Sequence, residues 1–212
     1  MFTLTCMAAE LARAVSLATQ VSGNSKQLNI LKSCMIEVAN GSAVIAATDM
    51  DHAVRVTLAG EGAGTVFIDT AMLAQKSAAL RPNQPVTISG DDAASVMMVQ
   101  GKTKWKIPLI NEAEHKQFPH EITQPLAGDA TDIGGELFIN ALASAKTIVR
   151  EGMGSPINMG VFLDTSDGFR AVGADTRGLF LVQMENDPIA VSIIVPNNSI
   201  SVVANMFRSA DV

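Results

Sequence analysis

The chain has 212 residues, 48% hydrophobic and 17% charged, enough apolar material for one large domain or two small ones. No stretch approaches eighteen uninterrupted apolar residues, and residues 1–6 have neither a basic start nor a long apolar run, so the expectation is a cytoplasmic protein with no membrane span and no secretory signal. The formal net charge of −6 argues at first sight against nucleic acid, and Cys6 and Cys34 are too few for a disulfide framework, so both read as reduced, half-buried strand residues.

Residues 2–6 alternate as a strand does. An Ala-rich helix over 8–20 follows, with Met7, Leu11, Ala14 and Ala18 on one stripe, and it ends at Val21-Ser22-Gly23-Asn24. Three strand-like runs come next, at 28–38, 43–48 and 52–59, with Asn40-Gly41 as a hairpin signal. Then the order repeats. A strand at 65–68 leads to a helix within 70–81 that Asp69-Thr70 can cap and Arg81-Pro82-Asn83 stops. Strands follow at 86–89, 95–100 and 104–109. Residues 111–132 are polar and contain Pro119, Pro125 and Gly128, the composition of an interdomain linker. A third copy is expected to open with a strand at 136–139 and a helix to residue 150, then a Gly/Pro loop at 151–156 and strands at 158–164, 169–174 and 179–184. A fourth opens with a strand at 190–195 and a helix over 197–208, which carries Ile200, Val203 and Phe207.

The repeating unit is therefore β-α-β-β-β, at roughly 60 residues per copy. Ile45-Ala46-Ala47-Thr48-Asp49 resembles Ala171-Val172-Gly173-Ala174-Asp175, and both follow a turn and precede another apolar strand. The predicted boundaries are a first domain at 1–120 with two units, a linker at 121–132, and an incomplete second domain at 133–212. One helix for every four strands predicts an α+β fold with helices on one face of antiparallel sheets.

Charge follows the predicted elements. The four helical segments hold Arg13, Lys76, Arg81, Lys146, Arg150 and Arg208 against one acid, Glu10, a net of +5. The remainder holds nine Lys/Arg and twenty Asp/Glu, a net of −11. Helices sharing one surface would make that surface positive on an otherwise negative protein.

At this point the order of elements and several short motifs resemble the bacterial sliding clamp, the beta subunit of DNA polymerase III. The motifs are Leu28-Asn29-Ile30-Leu31 through Thr48-Asp49, Thr65-Val66-Phe67-Ile68 with its helix, Gln117-Phe118-Pro119, Ile157 to Phe162, and Ile194-Val195-Pro196. The resemblance implies the DNA-clamp fold and a non-catalytic processivity factor that needs no cofactor or metal. Family members have three such domains per subunit, and two subunits close head to tail into a homodimer ring around duplex DNA. The implied partners are duplex DNA, DNA polymerase and clamp-loader subunits. The implied DNA-facing residues are Arg13, Lys76, Arg81, Lys146, Arg150 and Arg208, with Lys26 near a basic position of the family. Lys and Arg would contact phosphates without reading bases, as a sliding ring requires.

Two departures matter. The family's partner-peptide pocket includes an Asp-Gly-His-Arg-Leu stretch, and here the matching stretch is Asp175-Thr176-Arg177-Gly178-Leu179, with Ala174 before it and Ile157 as a further wall residue. Asp175 and Leu179 match, and Thr176-Arg177-Gly178 differs from the family's middle residues. Trp105, with Met72 and Leu73, stands where the subunit interface would lie, but the third domain that would face it has no counterpart in these residues. The alternative expectation is thus a truncated clamp-like paralogue or fragment, a protein-binding module that cannot close a ring. An enzyme reading has little support: Glu112-Ala113-Glu114-His115 with His120-Glu121, and Asp49-Met50-Asp51, lack metal-site spacing and read as a solvated loop and a turn. No Ser-x-x-Lys, Gly-x-Ser-x-Gly or phosphate-binding Gly-rich motif occurs.

Overall fold

The computed structural model describes residues 1–23, 28–91, 94–120, 135–149, 159–164, 169–175, 177–184 and 192–210. The chain forms two compact units, Met1–Leu126 and Ala127–Val212.

In the first unit, β1 (Phe2–Met7) leads into α1 (Ala8–Thr19). A 3-10 turn (Asn29–Lys32) precedes β2 (Ser33–Ala39), β3 (Ser42–Thr48) and β4 (Ala53–Ala59). The second copy runs β5 (Glu61–Asp69), α2 (Thr70–Ser77), β6 (Pro85–Gly90), β7 (Ser95–Gln100) and β8 (Thr103–Pro108). Asp69 caps α2 as expected, its carboxylate accepting from the Met72 N–H at 2.8 Å. The eight strands form one sheet in the order β4-β3-β2-β5-β1-β6-β7-β8.

That order shows an exchange that chain order conceals. β5, the first strand of the second copy, pairs with β2 of the first, while β1 pairs with β6 of the second. β5 joins the halves: residues 61–63 pair with β1 and residues 64–69 with β2. The crossing requires glycine. Gly62 has φ +135°, and a Cβ there would lie 1.9 Å from the Thr3 carbonyl oxygen. The Gly-rich start of β5 reads as loop in the sequence, so the strand begins four residues before the expected Thr65.

Alternation buries Phe2, Leu4, Ile36, Ile45, Ile68 and Ile88 on one face, where α1 packs over β1, β3 and β4 and lies beside α2. Cys6 and Cys34 are fully buried here rather than half-buried, and burial pushes both thiols up to about 12.

The opposite face carries a second, smaller core. Phe67, Met35 and Ala46 lie side by side across β5, β2 and β3, and all three are buried under Ile30, Leu31 and Phe118. Two expectations change for this reason. Residues 29–32 are not strand, because Ile30 and Leu31 fold over the sheet instead of joining it. Residues 111–120 are not linker: α3 (Glu112–His115) and the turn after it form a strap. The Ile110 N–H donates to the Phe67 carbonyl at 3.0 Å, His115 stacks on Phe67, and Phe118 is 2% exposed.

The second unit holds α4 (Gly135–Lys146), β9 (Gly160–Asp164), β10 (Phe169–Ala174), β11 (Leu179–Met184), β12 (Ser192–Pro196) and α5 (Asn197–Ala210). The strand expected at 136–139 is the first turn of α4. Ile139, Leu142 and Ala145 recur at helical spacing and are buried, and a short apolar run cannot distinguish the two states. The sheet order β11-β10-β9-β12 repeats β4-β3-β2-β5, again with the first strand of one copy added to the hairpins of the other. α4 packs beside α5 as α1 does beside α2. The loop 151–156 lies outside the described residues.

Candidate functional site

Sequence and structure offer two candidate surfaces, the exposed faces of the paired helices and the β10–β11 turn. On the helices, Arg13 is exposed on α1 and Lys76 half-buried on α2. Arg81 is exposed beyond the end of α2, not on it. Its backbone is clamped by buried Gln100, which accepts from the Arg81 N–H at 2.8 Å and donates to its carbonyl at 3.0 Å. Among the described residues none of these three cations forms an ion pair. Lys146 is half-buried on α4, and its ammonium donates to the Ser201 hydroxyl across the α4–α5 contact. Arg208 belongs to α5. Lys26 and Arg150 lie outside the described residues.

The helical charge is therefore smaller than the sequence suggested. With the observed boundaries, α1, α2, α4 and α5 hold four cations (Arg13, Lys76, Lys146, Arg208) against Glu10 and Glu136, a net of +2. Early onset of α4 brings in Glu136, and the early end of α2 leaves Arg81 outside. Sequence reasoning also passed over three exposed lysines on the β7–β8 hairpin, Lys102, Lys104 and Lys106. Their alternate spacing was the available signal.

On the β8 edge, Trp105 is half-buried opposite Met98. Met72 is half-buried, but Leu73 is fully buried within α2 and is a core residue rather than an interface one. The Glu112/Glu114/His115/His120 segment is not a solvated loop, because both imidazoles pack against Phe67.

The β10–β11 turn is built from Asp175, whose carboxylate accepts from the Arg177 N–H at 2.7 Å and the Gly178 N–H at 2.8 Å. Its own N–H donates to the Gly178 carbonyl at 3.0 Å. Asp49 does the same at the β3–β4 turn: its carboxylate accepts from Asp51 and His52 N–H groups, and its N–H donates to the His52 carbonyl. The likeness of 45–49 to 171–175 in sequence is thus a likeness of turns. Partial burial pushes the Asp49 carboxyl up, but the His52 N–H, the His52 ring and the Asp51 N–H outweigh it and hold the pKa below the usual value. The second turn presents Leu179, 66% exposed, and exposed Arg177, with Ala174, Asp175 and Gly178 half-buried behind them. Ile157 and Thr176 lie outside the described residues.

Solved structures match this arrangement over nearly the whole chain. The DNA polymerase III beta subunit of Thermotoga maritima superposes with a TM-score of 0.82 at 20% identity, covering 99% of this chain and 57% of that one. The chain has the sliding-clamp fold. The Pseudomonas aeruginosa DNA polymerase III subunit beta gives 0.83 at 15% identity with the same coverages. The Bartonella birtlesii sliding clamp, solved bound to griselimycin, gives 0.79 at 16%, covering 98% and 57%. The chain thus spans 57% of the length of these sliding clamps. No family model and no curated protein matches its sequence. No helix among the described residues is long and apolar enough to cross a membrane.

Proposed function

We propose that this chain is part of a sliding clamp, a non-catalytic cytoplasmic protein that surrounds duplex DNA without reading its sequence and tethers a DNA polymerase. The observation that carries the reading is the sliding-clamp fold itself, with helices paired on one face of each sheet. Arg13, Lys76 and Arg81 are the first unit's candidates for phosphate contact, and Lys146 and Arg208 those of the second, with Lys26 and Arg150 as further candidates. Few cations per helix suit a slider, since each contact must break as the ring moves. The β10–β11 turn, with Leu179 and Ala174, is the candidate seat for an apolar anchor of a polymerase or clamp-loader subunit. Trp105 and Met72 remain candidates for a contact between subunits.

The test is retention on circular duplex DNA over a salt range. Retention that is lost when the circle is cut supports a closed ring. The second reading is a clamp-like protein-binding module without ring closure. It predicts the same weak, salt-sensitive binding to circular and linear DNA.

A further inference from the structure

The core-facing positions of β7 carry Val96, Met98 and then Gln100, so the third place in an apolar series holds a carboxamide that is only 8% exposed. Burying an amide costs free energy unless its polar atoms are bonded. Among the described residues the Gln100 side chain directs all its hydrogen bonds to one short loop, residues 81–84 between α2 and β6. Its Oε1 accepts from the Arg81 N–H at 2.8 Å, and its Nε2 donates to the Arg81 carbonyl at 3.0 Å and to the Gln84 carbonyl at 3.3 Å. The same loop closes the N-terminus of α1, where Met7 supplies no side-chain cap. The Ala8 N–H donates to the Gln84 carbonyl and the Ala9 N–H to the Pro82 carbonyl, both at 3.1 Å. Within the loop the Gln84 N–H donates to the Arg81 carbonyl at 3.2 Å.

We propose that Gln100 is a positioning residue for DNA, holding the backbone of Arg81 in place so that its guanidinium can meet a phosphate. The inference rests on the DNA-surrounding reading given above and deepens it. Arg13 and Lys76 stand on helices, whose own hydrogen bonds fix their backbones. Arg81 lies beyond the end of α2 and needs another restraint. Gln100 supplies it by engaging both backbone groups of that one residue, as a neighbouring strand would. Pro82 restricts the Arg81 backbone further, because the residue before a proline is confined to extended conformations. The Arg81 side chain remains exposed and forms no ion pair among the described residues. A fixed backbone with a free cationic end suits a contact that must form and break repeatedly, because the loop is already ordered before DNA arrives. An apolar side chain would fill the same place in the core without needing partners, so the consequence of the amide is for the loop rather than for the sheet.

The experiment measures duplex DNA affinity over a salt range for the full parent chain, Gln100→Met, Arg81→Ala and the double variant. Gln100→Met should weaken binding about fivefold, the size expected when a long side chain must be ordered on contact. Arg81→Ala should lower the logarithmic salt slope by about 0.9. In the Arg81→Ala background, Gln100→Met should change affinity by less than about twofold, whereas a purely structural role would weaken both backgrounds alike. Gln100→Asn keeps an amide but withdraws it by one methylene, and it should act in the same direction if the methionine variant does not fold. Trp105 fluorescence checks folding, and amide exchange at Arg81, Ala8 and Ala9 should rise in either variant while β2 and β3 stay protected. Equal losses in both backgrounds, undiminished affinity of both Gln100 variants, or unaltered exchange at Arg81 would overturn the proposal. Absence of salt-dependent duplex binding by the parent chain would instead overturn the DNA reading, and this role with it.

Discussion

Replacing Phe118 with alanine tests whether residues 110–120 are part of the first unit or a tether leaving it. The ring is 2% exposed and touches Phe67 edge-on at 5.1 Å, within a cluster that includes Ile30, Leu31 and Met35. A buried phenyl ring removes about 150 Å² from water, which at about 25 cal/mol/Å² is close to 4 kcal/mol. Partial collapse of a strap at the surface recovers some of this, so a loss of about 3 kcal/mol is expected. The first unit has 126 residues. At about 2.1 cal/mol/K per residue, that loss lowers its Tm by about 11 °C. Trp105 is the one tryptophan of the chain and lies on β8, so its fluorescence follows unfolding of this unit without interference from the other. Limited proteolysis should show faster cleavage within 111–120. A change below about 1 kcal/mol with unaltered cleavage would refute the packed strap.

Three further outcomes follow from the same geometry. Exchanging Arg13 and Lys76 for glutamate should lower the salt dependence of DNA binding by about 0.9 per lost phosphate contact, or about 1.8 in the logarithmic slope, with little change in Tm. An unchanged slope would remove both from the DNA face. Lys146 is a poorer test residue, because its ammonium is engaged with Ser201 between two helices. Gly62→Ala should prevent stable folding of the first unit, since its Cβ would meet the Thr3 carbonyl, and normal soluble yield with native circular dichroism would contradict the crossing described for β5. Asp49 has a folded pKa below its ordinary value of 3.8, so its charged form stabilises the turn above that pH. That contribution is lost as pH falls from 3.8 through the folded pKa. Asp49→Asn should thus reduce stability at pH 7, with the difference from the parent shrinking below pH 3.8; a difference independent of pH would assign the effect to packing.

The repeat was legible because local patterns carry it. Asn40-Gly41 sets a hairpin turn, and Asp49 and Asp175 close theirs with their own carboxylates, choices made within a few residues. The order of helices and strands could be read from such signals and from alternation, and with it the likeness to a sliding clamp. Element boundaries were less legible where an apolar run was short: residues 136–139 satisfy helix and strand equally, and this moved Glu136 onto a helix and reduced the expected positive charge.

The amino-acid sequence by itself determined the order of the copies, their turns and the α2 cap, because each depends on neighbours along the chain. Only the tertiary structure decided which copy each first strand would join, since backbone hydrogen bonds between β5 and β2 carry no residue code that marks them in advance. It also decided that Leu73 is core and that Phe118 returns to cover Phe67. These outcomes depend on which surfaces meet across the fold, and the same apolar side chain is buried or exposed according to whether another segment arrives to cover it.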